Sequence, residues 1–120
     1  MGLHEAREDL APATLDRHRG LVSLVEELEA MDWYQQRIDA AGDPELEAVL
    51  AHNRDEETEH AAMSLEWLRR QDPVLDEHLR EYLFTEGPIV RIEEEIEGGE
   101  GGGGAPGDGS LGIDSLRGEG

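Results

Sequence analysis

Residues 43–72 read DPELEAVLAHNRDEETEHAAMSLEWLRRQD, and the architecture follows from this stretch. Asp43 supplies a side-chain oxygen for an exposed N–H of a first helical turn. Pro44 sits where a missing N–H costs nothing. Asp72-Pro73 repeats the device and opens a new element, so one uninterrupted helix is expected from about Pro44 to Gln71. At about 100° per residue, Leu46, Val49, Leu50, Met63, Trp67 and Leu68 share one stripe about 140° wide. Asn53, Glu57 and His60 fall inside that stripe, in its middle two turns.

Working outward, a preceding helix is expected from about Thr14 to Ala41, closed by Gly42. Gly20, Leu21, Leu24, Leu28, Met31 and Ile38 form its apolar stripe, with Glu27 at the edge and Tyr34 two turns on. After Asp72-Pro73 a shorter helix is expected through about Phe84. Gly87-Pro88 breaks it, and Ile89, Ile92 and Ile96 at spacings of three and four indicate a last helix. Eleven of the fifteen glycines lie from Gly98 onward. Residues 1–97 therefore read as the helical domain and 98–110 (GGEGGGGAPGDGS) as a flexible Gly-rich tether. Apolar residues return in the terminal segment 111–120, as Leu111, Ile113 and Leu116.

The fold class is all-α: an antiparallel two-helix hairpin plus short C-terminal helices. Two helices of this length span about 40 Å each, and one hairpin cannot cover its own apolar stripe. The chain has only five aromatic residues to help. Dimerisation into a four-helix bundle is the expected remedy.

Composition narrows the chemistry. Thirty acidic against ten basic residues give a net charge of −20. Such a surface repels phosphate backbones and anionic lipid, so neither nucleic acid nor membrane is expected as a partner, whereas cations are attracted. There is no cysteine, so a metal must be held by carboxylate, imidazole or water, as suits iron, manganese, zinc or calcium. The N-terminal MGLHEAREDL lacks a basic start and apolar run, and a cytoplasmic location is the expectation.

Bare carboxylates and an imidazole in a buried seam cost several kcal/mol unless compensated, and a metal ion compensates most simply. Glu57 and His60 form Glu-x-x-His, whose i, i+3 spacing aims both side chains at one point. A di-iron bundle takes one Glu from each of two helices and Glu-x-x-His from each of two others. This chain carries half of that set, in Glu27, Glu57 and His60, and a two-fold partner would supply the rest. Tyr34 is either a core aromatic or a neighbour of the metals. Glu26, Glu29 and Trp33 share another face, a solvated stripe unless paired across a dimer to pass cations inward. His52, Glu56 and Glu59 form a further acidic stripe, solvated or a weaker cation site.

Three runs resemble the encapsulated ferritins: SLVEELEAMDWYQQR (Ser23 to Arg37), HNRDEETEHAAMSLEWLRR (His52 to Arg70) and YLFTEGPI (Tyr82 to Ile89). The resemblance covers about Asp16 to Ile89. It implies a ferroxidase centre formed between two chains, oxidising Fe(II) to Fe(III) with dioxygen. Glu27, Glu57 and His60 would be its iron ligands, Glu57 bridging, with Tyr34 beside them. Glu26, Glu29 and Trp33 resemble the positions through which metal enters, and His52, Glu56 and Glu59 an accessory cation site that would take calcium. The resemblance further implies an annular decamer of dimers. The terminal LGIDSLRG resembles the peptide that docks ferritin-like cargo inside an encapsulin nanocompartment, with Asp114 and a very Gly-rich tether as departures. The rival reading is a non-enzymatic helical adaptor whose Glu27, Glu57 and His60 hold a structural zinc or calcium ion.

Overall fold

The computed structural model describes residues 2–103, and all helices among them are α-helices apart from a short 3-10 turn at Arg7–Asp9. The order is α1 (Pro12–Ala40), α2 (Pro44–Gln71), α3 (Pro73–Tyr82) and α4 (Ile89–Gly103). The expected all-α class is what the chain adopts.

Local chemistry sets the boundaries. Asp43 caps α2 by accepting from the Leu46 N–H at 2.9 Å, with Pro44 in the first turn. Helix α1 begins at Pro12, two residues before the expected Thr14, because proline fixes a helical φ at a position that needs no donor. It ends when the Ala41 N–H closes back on the Arg37 and Ile38 carbonyls. Helix α3 stops at Tyr82 rather than Phe84. Phe84 sits at φ 63°, in the left-handed region, and the Thr85 hydroxyl donates to the Tyr82 carbonyl at 2.7 Å. Gly87, at φ 90°, completes the break that leads into α4.

The helical region expected as one domain divides after Asp72 into two compact units. In the unit from Pro73 onward, Arg80 pairs with Asp76 at 2.9 Å and His78 with Glu81 at 3.0 Å. Burial first, then the charges of Glu93, Glu81 and Glu97, raise the Tyr82 pKa above its ordinary value. Helix α4 runs on to Gly103, six residues into the stretch expected to be tether. A helix already nucleated gains a backbone hydrogen bond per added residue, against about 1 kcal/mol per glycine. The segment 111–120 expected as a docking peptide lies outside the described residues.

In the unit ending at Asp72, α1 and α2 pack as a hairpin with a thin core. Leu68 (1% exposed) and Ala61 (6%) are its fully buried apolar side chains. Leu21, Leu28, Leu46, Val49, Met63 and Trp67 stay substantially exposed. The apolar stripe of each helix is wider than its hairpin partner can cover.

Gly20 allows the closest approach. A Cβ there would lie 2.9 Å from the Trp67 ring and 3.3 Å from Leu68 Cδ2. Gly20→Ala gains about 1 kcal/mol of helix propensity but overpacks the contact at about 1–3 kcal/mol. We expect a lower melting temperature by circular dichroism. An unchanged or higher one would mean that Trp67 moves aside freely.

Candidate metal centre

The expected ligands lie on the two helices of the hairpin, Glu27 on α1 and Glu57 and His60 on α2. Glu27 lies on the inward side of α1. Its Oε1 is buried and has no hydrogen-bond partner. On α2, Glu57 Oε1 is 3.8 Å from His60 Nδ1, with side-chain exposures of 31% and 47%. The i, i+3 spacing therefore does place the carboxylate and imidazole side by side. At that separation they are not hydrogen-bonded to each other, and both keep ligating atoms available.

The seam expected to bury Glu57 and His60 leaves them half-exposed within one chain. Among the described residues no group of three or more His, Asp or Glu side chains is arranged to hold a metal ion.

The remaining candidates lie on the same two helices. Tyr34 is half-buried, with the Arg37 guanidinium 5.2 Å from its ring centroid, a cation–π arrangement. Glu26, Glu29 and Trp33 are exposed on α1. His52, Glu56 and Glu59 are exposed on α2, and Glu56 Oε1 also lies 4.0 Å from His60 Nε2. His60 thus stands between two carboxylates, one on each side of its ring. Further along α2, hydrogen bonds from Arg69 and then Arg70 hold the Glu66 carboxyl down to about 2, so these cations are engaged away from the site.

Sequence reasoning missed Arg54 and Gln35. Arg54 donates to Gln35 Oε1 at 2.8 Å, tying α2 to α1 one turn before Glu57. The signal was present: Arg54 is a lone basic residue inside the acid-rich middle of α2.

The buried, unpartnered Glu27 oxygen is the observation that fits a metal. A carboxylate oxygen out of water without a donor costs about 1–3 kcal/mol or more, and a cation removes that cost. The donor set of carboxylates and imidazole suits iron, manganese or zinc.

A long antiparallel helical hairpin that carries a buried carboxylate on one helix and a Glu-x-x-His pair on the other is a ferritin-like arrangement. Over residues 2–86 the sequence matches the family described as EncFtn-like. It is 63% identical to the encapsulated ferritin-like protein of Rhodospirillum rubrum, over 97% of this chain and 88% of that one. It is 51% identical to a ferritin-like protein of Thermotoga maritima, over 94% and 96% of the two chains. The encapsulin nanocompartment cargo protein EncC of Myxococcus xanthus is 36% identical over 76% of each chain. A protein of Nitrosomonas europaea with a crystal structure superposes at a TM-score of 0.73 with 57% identity, over 75% of this chain and 99% of that one. The chain belongs to the EncFtn-like family, the encapsulated ferritins. No helix among the described residues is long and apolar enough to cross a membrane.

Proposed function

We propose that the chain is a ferroxidase, taking Fe(II) as substrate and passing one electron per iron to dioxygen, at a di-iron centre completed by a second copy. The buried Glu27 oxygen that no protein donor satisfies carries this reading. In it, Glu27 and Glu57 supply oxygen ligands and His60 a nitrogen. Anionic ligands favour the ferric product, because the higher charge gains more from them. The uncovered faces of two hairpins would close over each other, excluding water and placing two copies of the three ligands around one pair of metals. Tyr34, two turns after Glu27 on α1, would line the site. Glu26, Glu29 and Trp33 would guide cations in, and His52, Glu56 and Glu59 would hold a second cation such as calcium. The chain would assemble into an annular decamer of dimers and, as the names of its relatives suggest, would be carried as cargo in an encapsulin shell. Residues 111–120 would be the docking peptide.

Aerobic addition of Fe(II) to the full chain and to His60→Leu tests the reading. Ferric absorbance should rise faster than in buffer with the parent chain and at the buffer rate with the variant. Equal rates for parent chain and buffer, with zinc or calcium still bound, would instead make the protein a metal-stabilised adaptor.

A further inference from the structure

We infer that Arg54 is a positioning residue: by gripping Gln35 it sets the register of α1 against α2, and so the spacing of Glu27 from Glu57 and His60. The inference rests on the metal-centre reading above.

The grip is a chain of four polar side chains that crosses the hairpin. Arg54 Nη1 donates to Gln35 Oε1 at 2.8 Å. The other edge of the guanidinium is held by Asp55 Oδ1, at 3.1 Å from Nε and 3.0 Å from Nη2. Gln35 in turn donates through Nε2 to Asp39 Oδ1 at 3.0 Å. Both ends of the Gln35 amide are therefore committed, and so is the orientation of the Arg54 fork. The Arg54 side chain is 32% exposed, against 70% for Asp55.

The placement gives the grip its consequence. Glu27 lies seven residues after Gly20, where α1 sits against Trp67 and Leu68, and eight residues before Gln35. At 1.5 Å per residue the two anchors stand about 10 and 12 Å from Glu27, one on each side. Between them, Leu24 and Met31 on α1 are half-buried and Ala61 on α2 is buried. Apolar contacts of this kind are non-directional and tolerate sliding. A charge-assisted hydrogen bond does not. Metal ligands accept errors of only about 0.2 Å in distance, so a small slip that the apolar face would permit is enough to spoil the site.

The test uses the full chain with Co(II) as probe, reading affinity by titration and coordination by the visible ligand-field spectrum, alongside iron oxidation and helicity. Arg54→Met and Gln35→Leu should both keep the helical spectrum. Each should weaken Co(II) binding about tenfold or more and change the ligand-field bands, the scale seen when groups that orient ligands are removed. The double variant should be no worse than either single one, since both act through one bond. Arg54→Lys, which retains a donor, should recover part of the affinity. If Arg54→Met does not fold, Gln35→Leu decides by the same readings. Unchanged Co(II) binding in Gln35→Leu, with loss in Glu57→Ala, would overturn the positioning role and leave the metal centre standing. Unchanged binding in Glu57→Ala as well would overturn the metal centre itself.

Discussion

Glu27→Leu is expected to melt higher than the parent chain without metal and to lose metal binding and iron oxidation altogether. The buried Oε1 of Glu27 has no donor, so leucine removes an unsatisfied polar atom of about the same bulk and adds apolar contact. The expected gain without metal is about 1–3 kcal/mol, the usual cost of such an orphan. Glu27→Gln separates the two effects. It keeps a polar atom in the same place, so it should lose metal affinity without the gain in stability. The comparison needs a thermal melt of each metal-free variant and a Co(II) or Fe(II) titration. A leucine variant that melts earlier and still binds metal would show that Glu27 is a structural polar residue with a partner outside the described chain.

Val49→Arg is expected to leave a folded helical chain that no longer associates and no longer oxidises iron. Val49 is 50% exposed on the uncovered face of α2, so one hairpin by itself tolerates the arginine. Two copies closing on each other would bury two unpaired cations, and each unpaired buried charge costs about 3–5 kcal/mol. Val49 lies eight residues before Glu57, about 12 Å along the helix and beyond the Debye length of about 8 Å at physiological ionic strength. Loss of oxidation would therefore reflect loss of the partner and not a disturbed ligand. Sedimentation gives the mass, and the aerobic Fe(II) assay gives the activity. A monomeric Val49→Arg that oxidises iron at the parental rate would defeat a centre shared between chains.

The assignment of elements was legible because it depends on neighbours a few residues apart. Asp43 caps α2, Pro44 and Pro73 open α2 and α3 at positions that need no donor, and Gly87, at a left-handed φ, breaks the chain ahead of α4. The Glu57–His60 pairing follows from the rise and twist of any helix and needs no fold. Errors at the ends have equally local causes. Helix α1 takes in Pro12 and Ala13, α3 drops Leu83 and Phe84, and α4 extends over glycines whose low propensity the existing ladder overcomes.

By itself, then, the sequence determined an all-α chain with Glu27, Glu57 and His60 interrupting apolar stripes, since periodicity and capping are written in the nearest four residues. Only the tertiary structure decided which flank of each stripe is covered. Packing α1 on α2 leaves Leu28, Val49 and Met63 exposed and Glu57 and His60 half-open. Only tertiary structure, too, joined residues 19 apart into the Arg54–Gln35 bond and set Gly20 under Trp67. Such contacts depend on how two helices slide and rotate against each other. Contacts across the hairpin, apolar and polar, can fix that choice only once both helices are formed.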